Sequence, residues 1–291
     1  MSPSAHLRPD VAKLLALEPQ ARCDLMRDQR FVPYPAGMSA LRWLRYLYLH
    51  EYGRDRPRSL HILGAAGMGK SRVLKHYADL HGHADRDKDG RLARPVVLVE
   101  MKEGDAKSLC GELMGACVPG LRVMRPSNYS GRVGEALQQC GVRQVLIDEA
   151  GNLLLSGKHT QQQCLKLLKS ITNQGITICI ATTENMKAVL AADEQLYSRF
   201  KQVRLPQWSE SQELRQFLSG IEAQLPLPEA SHLDRMPIVR WFVSQGYTVT
   251  SLIVDLLRDA ATLAIMTGRP CIDLELLQQA ATAVMPPDRA C

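Results

Sequence analysis

Ser59-Leu60-His61-Ile62-Leu63 runs directly into Gly64-Ala65-Ala66-Gly67-Met68-Gly69-Lys70-Ser71, and Arg72-Val73-Leu74-Lys75-His76 follows. A short apolar run, then Gly-x-x-x-x-Gly-Lys-Ser, then helix-forming residues read as a strand, a phosphate-binding loop and the start of a helix. The chemistry asks for these residue types. Glycines let backbone N–H groups curl around phosphate oxygens, and a helix beginning near Lys70 adds the positive end of its dipole. The residues from Gly64 to Arg72 are thus expected to line a nucleotide's phosphates. Lys70 reaches the β- and γ-phosphates in this reading, and the Ser71 hydroxyl ligates Mg²⁺.

The other half of such a site is sought downstream. Gln144-Val145-Leu146-Ile147-Asp148-Glu149 is an apolar strand that closes on two carboxylates. Asp148 is placed to hold Mg²⁺, directly or through water, and Glu149 to polarise an attacking water. Strands often end in solvated acids, but this one follows Lys70 after one strand-helix unit and a further helix, which favours the catalytic reading. Ala181-Thr182-Thr183-Glu184-Asn185 ends a later strand with polar side chains. A polar group there lies between the phosphate loop and the acidic strand; Thr183 is the first choice and Thr182 the second. The alternative is that both threonines only cap the next helix. Arg199, within Asp193-Glu194-Gln195-Leu196-Tyr197-Ser198-Arg199-Phe200, precedes the last strand on the domain's flank, where it can enter a neighbouring subunit's site. A surface ion pair with Asp193 or Glu194 is its plainer reading.

Further strand candidates are 95–100, 176–181 and 202–205, and helical patterns fall at 107–116, 130–139, 160–173 and 185–192. Runs rich in β-branched residues suit parallel strands buried on both faces, and their alternation with helices predicts an α/β, doubly wound sheet of five strands. From Trp208 on, 210–224, 231–244, 250–266 and 273–284 read as amphipathic helices. The expected division is an N-terminal helical extension (1–58), a nucleotide-binding α/β core (59–207) and a C-terminal helical lid (208–291). Within the extension, Leu41, Trp43, Leu44, Tyr46, Leu47 and Tyr48 form an aromatic-apolar stripe with Arg42 and Arg45 among them. It reads first as a packing face, second as a platform for a partner or a nucleotide base.

With 291 residues, 45% of them hydrophobic and 23% charged, the chain has the composition of a globular protein large enough for two domains. A net charge of +6 permits nucleic-acid binding without demanding it. The eight cysteines are scattered, with no zinc-type spacing, and read as reduced intracellular thiols. No apolar run is long enough to cross a membrane and the N-terminus does not read as a signal peptide, so a cytoplasmic location is expected. Asp85 to Gly90 imitates the front of a calcium loop, yet Val96 stands where a bidentate Glu is needed, so a solvated acidic turn is the better reading.

Taken together, the two nucleotide motifs, the polar strand end, Arg199 and the helical lid resemble an AAA+ ATPase. More narrowly the chain resembles the TniB/TnsC/MuB group of transposition ATPases, closest to TniB. The residues that carry this are Arg30-Phe31-Val32-Pro33-Tyr34-Pro35, Gly141 to Leu154 around Asp148-Glu149, Asp193-Glu194-Gln195-Leu196 with Ser198-Arg199-Phe200, and Leu205-Pro206-Gln207-Trp208. The resemblance implies an ATP- and Mg²⁺-dependent ATPase that binds duplex DNA as a homo-oligomer, ring or helical filament. It also implies two partners, a DDE transposase of TniA/TnsB type and a TniQ-like target selector. The family's DNA-contacting loops map here to Lys102 and Lys107, with Arg122 and Arg125 as further candidates and Ser127 and Tyr129 nearby. This chain departs from the family in having Thr182 where a small residue is usual, in lacking a second glycine in Gly246-Tyr247-Thr248-Val249-Thr250-Ser251, and in having no arginine at the usual lid sensor position. A nucleotide-gated protein-interaction ATPase, in signalling, secretion or helicase loading, is the alternative function.

Overall fold

The computed structural model describes residues 5–26, 31–83, 85–86, 92–117 and 129–282. Two short helices, α1 (Pro9–Ala12) and α2 (Pro19–Leu25), precede the long α3 (Pro35–His50). The chain then alternates: β1 (Ser59–Leu63), α4 (Lys70–His81), a two-stranded ribbon of β2 (Asp85–Arg86) and β3 (Leu92–Ala93), β4 (Val96–Glu100), α5 (Ala106–Cys117), α6 (Tyr129–Gln139) and β5 (Gln144–Asp148). It continues through α7 (Lys158–Asn173), β6 (Thr177–Thr182), α8 (Met186–Ala191), α9 (Glu194–Tyr197) and β7 (Phe200–Arg204). Four helices close it: α10 (Gln212–Glu222), α11 (Met236–Ser244), α12 (Thr250–Thr267) and α13 (Leu274–Thr282).

One compact unit comprises residues 36–206. Its five-stranded parallel sheet has the order β4-β5-β6-β1-β7. The strand that feeds the phosphate loop therefore lies between β6 and β7, and β6 separates it from the acidic β5. Every residue of β1 and β6 is buried, as largely apolar strands covered on both faces should be. Leu109, Leu113, Leu137, Val145, Ile147, Ile171, Ile178 and Leu190 are among the fully buried side chains that pack α5 to α8 on the sheet.

The expected boundary at residue 58 does not match the packing. Helix α3 belongs to the α/β unit: Gly37, Ala40, Leu44 and Leu47 form its buried stripe, and the Leu44 carbonyl accepts a hydrogen bond from Gln144 Nε2 at 3.2 Å. Gln144 opens β5, Ser59 opens β1, and the turn after α3 meets the segment before β6, where the Gly53 N–H donates to the Gly175 carbonyl at 2.9 Å. A Cβ on Gly175 would lie 3.0 Å from the Gly53 Cα, so the two backbones cross at a distance that only glycine permits. Helix α3 therefore runs across the N-terminal ends of the strands, at the opposite edge of the sheet from the phosphate loop. Its closing acid, Glu51, is buried and takes hydrogen bonds from the Arg58 backbone N–H (3.0 Å), Nε (2.9 Å) and Nη2 (2.7 Å). The Arg58 guanidinium holds the Glu51 carboxyl below the usual carboxylate range against the opposing effect of burial.

The second unit joins the residues up to Pro35 with those from Gln207 on. Aromatic packing explains the union. Tyr34 is buried with its ring centroid 5.5 Å from that of Trp208 and 5.8 Å from that of Phe217. The Arg8 N–H donates to the Ala223 carbonyl at 3.1 Å. In the turn before α11, the buried Glu222 carboxylate accepts N–H groups from Ser231 (2.7 Å), His232 (3.0 Å) and Leu233 (2.8 Å), with His232 at φ 53°. No helix among the described residues is long and apolar enough to cross a membrane.

Candidate nucleotide site

The phosphate loop leaves β1 at Gly64, whose N–H donates to the Thr182 carbonyl of β6 at 3.2 Å. A Cβ at Gly64 would approach the Leu205 carbonyl oxygen to 3.1 Å. Gly67 and Gly69 take φ values of 74° and 86°, the left-handed conformation that turns successive N–H groups inward ahead of α4. Met68 is buried and anchors the loop while Ala65, Ala66 and Gly67 stay exposed. Lys70 and Ser71 open the helix, and Arg72 follows.

The Lys70 ammonium folds back over its own loop, donating to the carbonyls of Gly64 at 2.9 Å and Ala65 at 2.8 Å. Burial lowers its pKa, and the negative charges of Glu149 and Asp148 oppose that shift. The ammonium and both carboxylates thus share one electrostatic neighbourhood, as the spacing of the motifs predicts. Asp148 is the last residue of β5, and its Oδ1 accepts the Glu149 N–H at 2.9 Å. Glu149 stands in the left-handed region at φ 51°, ψ 29°, ahead of a 3-10 helix at Ala150–Leu155. A glutamate there costs on the order of 1 kcal/mol relative to an ordinary conformation.

For the expected metal, the donors are hard oxygens, the Ser71 hydroxyl and the Asp148 carboxylate, both at the C-terminal edge of the sheet. Mg²⁺ takes few protein ligands and keeps several waters, so this donor set fits it. Among the described residues no group of three or more His, Cys, Asp or Glu is arranged for a metal.

Between loop and acidic strand, Thr182 and Thr183 are not equivalent. Thr182 is buried; its hydroxyl lies 2.6 Å from His61 Nε2 and donates to the Thr183 carbonyl at 2.9 Å. The hydroxyl proton is used there, so His61 Nε2 is the donor to Oγ1, which leaves Nδ1 unprotonated. That Nδ1 is buried without a partner among the described residues. Burial lowers the His61 pKa to about 4, so the ring is neutral. The Thr182 hydroxyl is thus committed inside the sheet, while Thr183 is half-buried. Neither His61 nor this bond stood out in the sequence; the signal was a lone histidine in an otherwise apolar strand.

Arg199 makes no ion pair with Asp193, which pairs instead with Lys169 at 3.1 Å and caps the Leu196 N–H at 3.0 Å. Its Nη1 donates to Thr172 Oγ1 at 2.6 Å and Asn173 Oδ1 at 3.1 Å, both neutral acceptors. Among the DNA candidates, Lys102 is paired with Glu112 at 2.9 Å and Lys107 is exposed on the first turn of α5. Arg122, Arg125 and Ser127 lie outside the described residues, and of Tyr129 only its backbone, at the start of α6, is described.

A parallel sheet of this order, with a glycine loop after β1, acids closing β5 and a separate helical unit, is the AAA+ P-loop fold. The model for bacterial TniB proteins matches residues 22–210, and the chain belongs to that family. Among curated proteins, comparison of the sequence finds no match. Among solved structures, the chain is similar to the Aeropyrum pernix ORC2 protein in its ADPNP-ADP complexes, with TM-score 0.62 and 15% identity over 90% of this chain and 71% of that one. The Aeropyrum pernix ORC1 protein in complex with DNA gives TM-score 0.61 and 16% identity over 89% and 68%. Cdc6p from Pyrobaculum aerophilum gives 0.59 and 18% over 90% and 71%. At these identities the likeness is one of fold.

Proposed function

We propose that this protein is an ATP-dependent regulator of DNA transposition that assembles as an oligomer on target DNA, engages a DDE transposase and links it to a TniQ-like target selector. The observation that carries the reading is the glycine loop opening α4, two strands from the acids that close β5, in a chain of the TniB family. Lys70 exchanges its two loop carbonyls for phosphate oxygens when nucleotide binds, and Ser71 and Asp148 hold Mg²⁺, which supplies charge neutralisation at the phosphates. Glu149 accepts the proton of the attacking water, Thr183 orients that water or the γ-phosphate, and Arg199 enters the site of the adjacent subunit. Lys102 and Lys107 contact DNA, with Arg122 and Arg125 beside them. A nucleotide-gated interaction ATPase that never touches DNA is the competing reading.

The test is electron microscopy and sedimentation of the protein with ATP and duplex DNA. Oligomers that need both ligands are the expected result; monomers under all conditions would refute the assembly reading, and assembly indifferent to DNA would favour the competitor. A Glu149→Gln protein is expected to bind ATP with near-normal affinity while turnover falls by about 10² or more.

A further inference from the structure

Helix α3 is amphipathic, and its outer stripe is not the polar, acid-balanced surface that a solvent-facing helix normally carries. Arg42, Arg45, Tyr46 and Leu49 recur at helical spacing on the exposed side, opposite the buried Gly37, Ala40, Leu44 and Leu47. Arg45 on this stripe, and Arg58, Arg143 and Lys201 around it, lie over aromatic rings. The Arg45 guanidinium carbon lies 5.4 Å from the Tyr48 ring centroid, and that of Arg143 lies 5.6 Å from the same ring and 5.3 Å from Tyr52. Lys201 Nζ is 5.4 Å from the Trp43 centroid, and Arg58 lies 5.1 Å from that of Tyr46. Arg45-Tyr48-Arg143-Tyr52 forms an alternating ladder, and Lys201 and the Glu51-paired Arg58 flank the edge-on rings of Trp43 and Tyr46.

A ring holds a guanidinium flat and fixed without neutralising it, whereas a carboxylate would cancel its charge. Carboxylates are scarce here. From α3 to β1 the only ones are Glu51 and Asp55, and Glu51 is already engaged by Arg58 and Arg54. Among the described residues, Arg45, Arg143 and Lys201 have no carboxylate partner. Arg42 and Arg45 on α3, Arg143 just before β5 and Lys201 in β7 thus place exposed cations around the outer face of one helix. At 16 residues that helix is about 24 Å long, roughly the axial rise of seven base pairs.

We propose that the outer face of α3, with Arg143 and Lys201 beside it, is a contact surface for the phosphate backbone of duplex DNA. It lies at the edge of the sheet opposite the phosphate loop and is distinct from the loop carrying Lys102 and the first turn of α5 carrying Lys107. The proposal rests on the DNA-binding part of the reading above. Planar guanidiniums positioned on rings suit phosphate oxygens, which they meet with paired N–H donors. The exposed edges of Tyr46 and Tyr52 then lie against sugar and base edges.

The experiment compares the parent with a combined Arg42→Gln, Arg45→Gln, Arg143→Gln variant, measuring affinity for a short duplex over a range of salt. The variant is expected to bind at least tenfold more weakly at low salt, with the slope of log affinity against log salt reduced by about two to three. Its ATP affinity, melting temperature and nucleotide-dependent sedimentation are expected to match the parent's. If the parent binds duplex DNA and the variant matches it in affinity and slope, the surface is wrongly assigned while the DNA reading stands. If the parent binds no DNA, both fall. If the variant loses self-association without DNA, the face is a contact between copies and the proposal is overturned.

Discussion

Glu149 combines an unfavourable backbone conformation with the chemical task assigned to it, and the two can be separated. Asn tolerates the left-handed region better than Glu, so Glu149→Asn is expected to raise stability by up to about 1 kcal/mol while turnover collapses. Thermal melting and steady-state hydrolysis on the same preparation check both halves; a less stable Glu149→Asn would show that the conformation carries no strain. The two threonines divide in a similar way. Thr183→Val is expected to reduce turnover with little change in ATP affinity, whereas Thr182→Val leaves buried His61 Nε2 without an acceptor and lowers stability by about 1–3 kcal/mol. His61 itself sets a pH dependence. Its folded pKa of about 4 lies below the ordinary 6.5, through burial and the charge of Lys187, with Glu184 opposing. The unfolded chain therefore takes up the proton first. The stability contribution is full above pH 6.5, shrinks as pH falls towards 4 and is then flat, a loss on the order of 3 kcal/mol. Denaturation curves across that window are expected to be shallower in pH for His61→Gln than for the parent.

At the scale of elements, the turn before α11 depends on a single carboxylate. Glu222→Ala would leave three N–H groups without their acceptor and is expected to cost about 3 kcal/mol, read as a drop in the unfolding midpoint. An unchanged midpoint would mean that water replaces the carboxylate. This is also the scale at which sequence and structure compare most directly. β5 occupies the bounds its pattern predicts, because a β-branched run ending in two acids is a local signal. β6 extends to Thr182, one residue past its predicted end, because that threonine pairs with Leu63 inside the sheet and is not the start of a loop. The β2–β3 ribbon falls in a segment whose polar residues read as a loop. At the site, the placing of Lys70 at the start of α4 and of Asp148 at the end of β5 was legible from motif and spacing. The pairing of Lys102 with Glu112 and the burial of the Thr182 hydroxyl against His61 were not, since each joins different elements and only packing brings them together.

At the scale of the whole molecule, Arg199 and Glu149 are proposed to serve different subunits' sites. Each variant alone, Arg199→Ala or Glu149→Gln, is expected to lose about 10² to 10³ or more in turnover. Mixed in equal amounts, the two are expected to regain a measurable fraction of parental activity, because some interfaces pair an intact Arg199 with an intact Glu149. A mixture no more active than its components would place Arg199 in its own subunit's chemistry. Domain assignment also belongs to this scale: the union of residues before Pro35 with the C-terminal helices follows from Tyr34 meeting Trp208 and Phe217, a contact between distant stretches that no local pattern announces.

The crossing of Gly53 and Gly175 bears on how such a protein can change over generations. Helix α3 is seated by a glycine-to-glycine backbone contact and an inward stripe of small and aliphatic side chains, none of which projects to the outside. Its outward residues are therefore free to drift under selection for whatever they touch. A lineage could rewrite that surface for new associates without disturbing the nucleotide machinery at the far edge of the sheet, whereas a side chain at Gly175 would pry the helix from its seat.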